Sequence, residues 1–155
     1  MNETIVIEPA RIADVEAIQA LTRAAYAPWV AVIGREPLPM IADYERALRE
    51  HRIDLVRRNG EILGLIEMIF KTDHLLIENV AVQPKCQGQG LGRRLLAHAE
   101  AVAAAEGYGT IRLFTNKLFR VNLKLYAGLG FGTDREEPFK GGTKVWMSKA
   151  INVAP

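Results

Sequence analysis

Apolar and polar residues recur with two different periods in the first third of the chain. Residues 4–8 alternate and end at Pro9, which predicts a half-buried strand. A helix is predicted from Ala13 or Asp14, and residues 41–50 return to helical spacing. Residues 26–40, with three prolines and Gly34, are predicted to be irregular. The apolar stripe of the first helix consists of Ile12, Val15, Ile18, Leu21 and Ala25.

The rest of the chain alternates between strand and helix patterns. Residues 53–57 and 61–70 form two predicted strands joined by Asn59-Gly60, a strong hairpin signal, and residues 74–82 extend that sheet. A helix over 90–106 ends at Gly107, followed by a strand at 110–115 and a helix at 119–129. Closing strands are predicted from residue 131 and over 143–147. The order β-α-α-β-β-β-α-β-α-β-β predicts a mixed α/β sheet with helices on both faces.

Composition narrows the class of protein. The 155 residues, with mean hydropathy +0.02, fit one compact domain over residues 1–155. A net charge of +2 without a long basic run argues against nucleic-acid binding. Cys86 is the one cysteine, no secretory leader pattern opens the chain, and no apolar run reaches the roughly 20 residues of a membrane span. We therefore expect a cytoplasmic protein without a membrane partner.

Three alternate glycines lie between a predicted strand and a predicted helix. Gly88, Gly90 and Gly92 carry no Cβ, so this turn can adopt left-handed dihedrals and expose its amides. The helix that follows directs its unpaired N–H groups and positive dipole end at the same place. The pattern predicts an anion site, with positive charge nearby from Lys85, Arg93 and Arg94 unless these only form a solvated face.

The spacing of these glycines excludes two common phosphate motifs. A P-loop needs Gly-Lys-Ser/Thr, and a dinucleotide turn needs glycine where Leu95 stands. The remaining pattern, Gln87-x-x-Gly90-x-Gly92 after Val80-Ala-Val-x-Pro84, resembles the acetyl-CoA signature of the GNAT superfamily of N-acetyltransferases. The resemblance implies a single-domain GNAT fold with splayed central strands, acetyl-CoA as cofactor and coenzyme A as product.

The resemblance also implies which residues hold the cofactor. The pantetheine arm would hydrogen-bond to a strand backbone freed by a β-bulge, although an ordinary buried strand would also be rich in valine. The amides of the glycine turn would bind the pyrophosphate, and Asn122 would touch the cofactor from the next helix. The implied residues are Val80, Ala81, Val82, Gln87, Gly88, Gln89, Gly90, Leu91, Gly92, Arg93 and Asn122.

A second segment carries the implied acid. Asn122-Leu-Lys-Leu-Tyr126, followed by Gly130-Phe131, resembles the family segment whose tyrosine protonates the departing thiolate. A helical tyrosine can equally be a core aromatic with a polar tip. Asn116 is expected to line the acceptor pocket, but asparagines near a helix start also serve as caps or turn formers.

The amine acceptor must lose a proton before it attacks. Glu78, two residues before Val80, is the best-placed base or water-positioning group, ahead of Glu67 and His74. A covalent role for Cys86 is disfavoured because no histidine stands in a triad context. No cluster with ligand spacing predicts a metal site.

The resemblance places the acceptor wall in the variable region after the first helix. Tyr26, Trp29 and Tyr44 would bind the amine there by cation–π contact, or would seal a loop against the sheet. The expected function is transfer of acetyl from acetyl-CoA to a primary amine by direct attack in a ternary complex. A non-catalytic acyl-CoA sensor is the alternative, and both a monomer and a homodimer remain open.

Overall fold

One mixed sheet of seven strands runs through the computed structural model, which describes residues 4–152. Its order is β1-β2-β3-β4-β5-β7-β6, and neighbours are antiparallel except for β4 and β5, which are parallel. The strands are β1 Ile5–Pro9, β2 Arg52–Arg58, β3 Glu61–Phe70, β4 Leu75–Val82, β5 Thr110–Asn116, β6 Gly132–Phe139 and β7 Gly142–Ala150.

Helices cover both faces of the sheet. On one face α5 packs its buried side chains, such as Leu95 and Ala99, against β3 and β4, and α6 closes the same layer. On the other face α1 and α4 pack Ile18, Leu21 and Tyr44 onto β2 and β3. The predicted mixed sheet with two helical layers is confirmed. The helices are α1 Val15–Tyr26, α2 Val30–Ile33, α3 Leu38–Ile41, α4 Tyr44–Glu50, α5 Leu91–Ala105 and α6 Arg120–Gly128.

The Asn59-Gly60 hairpin forms as predicted. Both residues have positive φ, 52° and 79°, which matches the twist of the flanking strands. Arg58 pairs with Glu61 directly across the turn, so β2 and β3 follow one another in the sheet.

The prediction of irregular structure over residues 26–40 is wrong. A 3-10 turn spans Ala27–Trp29, α2 follows it, and α3 begins at Leu38. Proline is tolerated in the first turn of a helix, where its missing N–H has no partner to lose. The glycine that ends α2, Gly34, has φ 76°. The breakers therefore delimit short helices here.

The helix predicted over residues 41–50 begins three residues later than expected. Asp43 is its N-cap, because its side chain accepts a hydrogen bond from the backbone N–H of Arg46 at 3.1 Å. A capped start at Tyr44 leaves Ile41 in α3.

A β-bulge lies in the middle of β4. Glu67 pairs with Asn79 and Met68 pairs with Ile77, so Glu78 has no partner on β3. The extra residue reverses the alternation of faces, since Ile77 lies in the α5 layer and Asn79 contacts α1 and α4. Beyond the bulge, β4 also leaves its other neighbour.

The two parallel strands β4 and β5 separate after only three paired positions. Their register covers Leu75 to Ile77 on β4 and Ile111 to Leu113 on β5. Both strands continue past that point, β4 to Val82 and β5 to Asn116, without pairing to each other. The splay opens the centre of the sheet at one end and exposes the β4 backbone on that side.

Candidate active site

Two clefts open where β4 and β5 separate. The glycine-turn cleft lies beside residues 80–82 and 86–93, with further walls from the end of α1 and from α6. The splay cleft lies between β4 and β5 and is closed by residues 33–39 and by the β6–β7 hairpin. Four residues line both clefts, so the clefts meet there: Tyr26, Val80, Asn122 and Tyr126.

The glycine turn presents free backbone donors. Gly88 and Gly90 have φ 81° and 80°, and Gly90 is the N-cap of α5 without any side-chain cap. Among the described residues, no protein group accepts a hydrogen bond from the amides of residues 88–93. The Gln87 amide differs, because it donates weakly to the Pro84 carbonyl at 3.4 Å. Six adjacent free donors at a helix start fit a bound anion.

The side chain of Gln87 supports the turn. Its Nε2 donates to the Val82 carbonyl at 3.3 Å, which ties the turn to the end of β4. Gln89 does not line either cleft, in contrast to the other residues predicted for cofactor contact. It follows that Gln89 offers its backbone amide alone.

The basic residues near the turn divide into two groups. Lys85 forms an ion pair with Glu61, so its charge is already compensated. Arg93 lines the glycine-turn cleft and is exposed, as is Arg94. In residues 4–152 neither arginine has a carboxylate within 4 Å. Arg93 is therefore the cation best placed to meet an anion at the turn.

Tyr126 lies on α6 at the meeting point of the two clefts. Its ring packs edge-on against Phe131 at a centroid distance of 5.9 Å, which orients the hydroxyl end of the side chain. Burial raises the pKa of Tyr126 to about 12. A phenol with this pKa stays protonated at neutral pH and can donate its proton.

Glu78, the bulged residue, is the only carboxylate among the residues of the described range 4–152 that line the splay cleft. Burial raises its pKa, the negative charge of Glu67 raises it further, and the positive charges of His51 and Lys144 oppose the shift. A raised pKa makes the carboxylate a stronger base than an exposed glutamate. These properties suit proton acceptance from an amine.

The alternative bases are placed differently. Glu67 is buried, its Oε2 lies 2.7 Å from His51 Nδ1, and it does not line either cleft. His74 lies 2.6 Å from the carboxylate of Asp73, outside both clefts. Neither side chain reaches the place where the clefts meet.

Tyr26 and Tyr44 belong to a polar network around Asn79, a residue that the sequence analysis did not single out. The Tyr26 hydroxyl lies 2.7 Å from Asn79 Oδ1 and 3.1 Å from the Val80 carbonyl oxygen. Asn79 Nδ2 donates to the Tyr44 hydroxyl at 3.2 Å, and that hydroxyl donates to the Pro39 carbonyl at 2.5 Å. Since both ends of the amide are satisfied, the network fixes the residue 37–41 segment to β4.

Of the predicted acceptor residues, the structure brings two to the splay cleft. Tyr26 lines it, and so does Asn116, whose Oδ1 also accepts from the Leu118 amide at 2.9 Å. Trp29 lines the glycine-turn cleft and packs on Phe119 at 4.3 Å between ring centroids. Tyr44 is 1% exposed and does not line either cleft, because its ring fills the core beneath α1. Its contribution is to the scaffold under the wall.

Two positively charged side chains in the splay cleft were not predicted from the sequence. Arg35 comes from the segment predicted to be irregular, and Lys144 comes from β7. The alternation of β7 places Val145 in the core and Lys144 on the opposite face, but the sequence alone does not show that this face borders a cleft.

The structure also locates the side chains considered for other chemistry. Cys86 is buried in the core cluster of the α5 layer. Within residues 4–152 no group of three or more histidine, cysteine or acidic side chains is arranged to hold a metal. No helix in that range has the length and apolar character to cross a membrane. The three histidines pair with carboxylates: His51 with Glu67, His74 with Asp73 and His98 with Asp54.

Solved structures with this fold include three acetyltransferases. A ribosomal-protein-alanine N-acetyltransferase from Escherichia coli has a TM-score of 0.80 at 21% identity, with 98% of this chain and 97% of that chain covered. The PaiA N-acetyltransferase from Thermoplasma acidophilum, in complex with coenzyme A, gives 0.80 at 18%, with 95% and 99% covered. A GNAT family acetyltransferase from Elizabethkingia anophelis with acetyl-CoA bound gives 0.71 at 20%, with 97% and 100% covered.

The family is established by a sequence comparison. No curated protein matches the chain at the required level of similarity. The model of the acetyltransferase (GNAT) family matches residues 18–131, which include β4, the glycine turn, α5 and Tyr126. The family, the fold class and the acetyltransferase assignment predicted from the motifs are confirmed. The chain belongs to the acetyltransferase (GNAT) family.

Proposed function

We propose that the protein transfers the acetyl group of acetyl-CoA to a primary amine by direct attack in a ternary complex. The supporting observation is the placement of two titratable side chains. Tyr126 lines both clefts, whereas Glu78 lines only the splay cleft. An acid at the junction and a base on one side of it define a path from an amine in the splay cleft to a thioester at the junction.

The glycine-turn cleft is proposed to hold the cofactor. The free amides of residues 88–93 fit the pyrophosphate, and Arg93 adds a positive charge beside it. The β4 backbone beyond the bulge, at Val80, Ala81 and Val82, pairs with no strand on the side of the splay, as strand-like pairing with pantetheine requires. Within residues 4–152 the Val80 and Val82 carbonyls meet only side chains there, those of Tyr26 and Gln87. Solved relatives with coenzyme A or acetyl-CoA support this occupant.

The side chains then share the proton transfers. Acetyl-CoA supplies a thioester whose carbonyl carbon the amine attacks. The Glu78 carboxylate accepts the proton of the ammonium group, directly or through a water, so that the amine carries a free electron pair. The Tyr126 hydroxyl would donate its proton to the sulfur as the carbon–sulfur bond breaks, so that a neutral thiol departs. The second proton lost by the attacking nitrogen would return to the Tyr126 oxygen through water, and Glu78 would release the first proton to solvent. Asn122, on the shared wall, is proposed to orient the cofactor.

A non-catalytic acyl-CoA sensor is the competing proposal. A sensor needs the glycine turn but has no use for an acid at the junction and a base on one side of it. The two proposals separate by incubating the purified protein with acetyl-CoA and a broad panel of primary amines. We expect amine-dependent release of free thiol together with the matching N-acetylated amine by mass spectrometry. Calorimetric binding of acetyl-CoA with no acetylated product over the panel would favour the sensor.

A further inference from the structure

The splay cleft contains two positive side chains that no carboxylate neutralises. Arg35 enters from the segment between α2 and α3, and Lys144 enters from β7. Over the described part of the chain, no aspartate or glutamate oxygen lies within 4 Å of either cation. Other basic side chains of the sheet have such partners, as Arg57 has with Asp14 and Lys149 has with Glu100. Uncompensated cations in a cleft favour an anionic ligand.

Aromatic rings hold the two cations in position. Lys144 Nζ lies 4.0 Å from the centroid of Phe139 and 4.3 Å from that of Phe114. The guanidinium carbon of Arg35 lies 5.8 Å from the centroid of the same Phe139 ring. Ring faces attract cations without accepting conventional hydrogen bonds, so the ammonium of Lys144 keeps its donors. Arg35 uses one donor weakly, because its Nη1 donates to the Glu36 carbonyl at 3.4 Å, and its other guanidinium donors stay available. One phenylalanine therefore brings both cations to one end of the cleft.

The negative charge of the cleft comes from β4. Glu78 is its only lining carboxylate, and Lys144 acts on Glu78 electrostatically without lying within ion-pairing distance. The remaining walls are largely apolar, with Ile33, Leu38 and Phe119 among them. The cleft has a volume of about 100 Å³, so it encloses only a small ligand or one small group of a larger ligand. A ligand that matches these walls carries one negative group, one positive group and an apolar group.

We propose that the acetyl acceptor is a small amine that also bears a carboxylate and an apolar side chain, of which an apolar or aromatic α-amino acid is the simplest example. Its carboxylate binds Lys144 and Arg35, and its amine lies toward Glu78 and the junction with the cofactor. This proposal rests on the proposed function. A polyamine fits poorly, because its second ammonium would meet the two cations. The α-amine of a peptide lacks the adjacent carboxylate.

The test compares matched acceptors on the purified protein. Leucine, phenylalanine and methionine are each assayed beside the corresponding amino-acid amide, an alanine-initiated peptide and a linear diamine, with acetyl-CoA saturating. We expect kcat/KM for at least one free acid to exceed that of its amide by about tenfold or more, which corresponds to a charge-assisted hydrogen bond. Equal or better use of the amides, the peptide or the diamine overturns the acceptor proposal while leaving acetyl transfer established. No product with these acceptors overturns the acceptor proposal, and no product over the broad amine panel as well overturns the proposed function.

Two lysine variants test the assignment to Lys144. Lys144→Met keeps the length of the side chain within the rings but removes the charge. We expect it to lower the acid-over-amide preference about tenfold, chiefly through KM for the acid. Lys140→Met is the control, since Lys140 also approaches Phe139, at 5.7 Å, without lining the cleft. An unchanged preference in Lys144→Met, or an equal loss in Lys140→Met, contradicts the proposal.

Discussion

The glycine-turn cleft and the splay cleft share one wall but are built from different parts of the chain. The first offers backbone amides from consecutive residues 88–93, backed by the start of α5. The second offers side chains from separate segments, among them Arg35, Glu78 and Lys144. Backbone amides recognise a phosphate by position and tolerate changes of side chain, whereas a pocket made of side chains changes its ligand with each substitution.

Because of this difference, the two clefts suit different kinds of ligand. A constant group, such as a cofactor phosphate, suits the backbone site. A variable group, such as the acceptor, suits the side-chain site, where one cation or carboxylate alters the preferred charge. Tyr126 stands on the shared wall and is the one proposed catalytic group that serves both ligands. Substitutions on the shared wall, in one cleft and in the scaffold should therefore have separable effects.

The largest effect is expected on the shared wall. Tyr126→Phe removes the proton donor and keeps the ring packed on Phe131, so kcat should fall about 1000-fold while the Kd of acetyl-CoA stays within about threefold. Stopped assays for product and calorimetry for binding measure the two quantities. Tyr108→Phe is the control, because its hydroxyl donates to the Lys71 carbonyl away from both clefts. An unchanged kcat in Tyr126→Phe would remove the acid assignment.

A smaller loss is expected on the acceptor side. Glu78→Gln should lower kcat/KM about 100-fold at neutral pH, with water replacing part of its role. Only the deprotonated carboxylate is a base, so the wild-type kcat/KM rises with pH through the Glu78 pKa. Because burial and the charge of Glu67 raise that pKa, the fall of kcat/KM at acidic pH, the acidic limb, should lie above the usual pH range of a glutamate. Glu78→Gln should not show this acidic limb.

Glu67→Gln is the matched carboxylate control. Removing the neighbouring negative charge lowers the Glu78 pKa, so the acidic limb should move to lower pH and persist. The pH dependence of kcat/KM for both variants checks this. A limb that disappears in Glu67→Gln, or remains in Glu78→Gln, would assign the base to a different group.

Two glycine substitutions test whether the glycine-turn cleft binds the cofactor through its backbone. Gly90→Ala puts a Cβ on a residue with φ 80°, which strains the backbone by about 1–2 kcal/mol. In the free protein the exposed turn can relax and relieve this strain. Cofactor binding requires the original conformation and so restores the strain. We expect the Kd of acetyl-CoA to rise about tenfold by calorimetry. Gly107→Ala has the same strain at φ 86°, far from both clefts, and should leave the Kd unchanged. Equal effects would show that the turn does not bind the cofactor through its backbone.

The smallest effect is expected at Tyr26, a residue of the shared wall whose hydroxyl bonds to β4. Tyr26→Phe removes the hydroxyl that contacts Asn79 and Val80, which should lower the free energy of unfolding by about 1 kcal/mol. Because the ring remains on the cleft wall, kcat/KM should change by less than about threefold. Thermal unfolding and steady-state assays measure the two. A large loss of kcat with an unchanged Tm would instead give the hydroxyl a chemical role.

The backbone site was predictable because its residues are adjacent in sequence. The run from Val80 to Gly92 encodes strand, turn and helix start together, and its glycine spacing separates it from other phosphate motifs. The Asn59-Gly60 hairpin was predictable for the same reason, since the turn type is a local property.

The cations of the side-chain site were not predictable, because they come together only through the topology. Arg35 and Lys144 are brought together by Phe139, and no local pattern relates the three positions. The prolines around Arg35 also suggested irregular structure, although they begin short helices. Asn79 was overlooked because a polar residue in a strand shows neither which face it occupies nor which partners it has.

The unpaired Glu78 makes the length of β4 as important as its composition. Ile77 and Val80 face the same helical layer because β4 contains one extra residue, Glu78, opposite the adjacent Met68 and Glu67 of β3. Loss of one residue beyond Glu78, with the bulge kept, would leave the strand apolar and exchange inside for outside along the rest of it. In alignments of distant relatives, a gap shifted by one position within this strand would consequently match core residues to cleft residues.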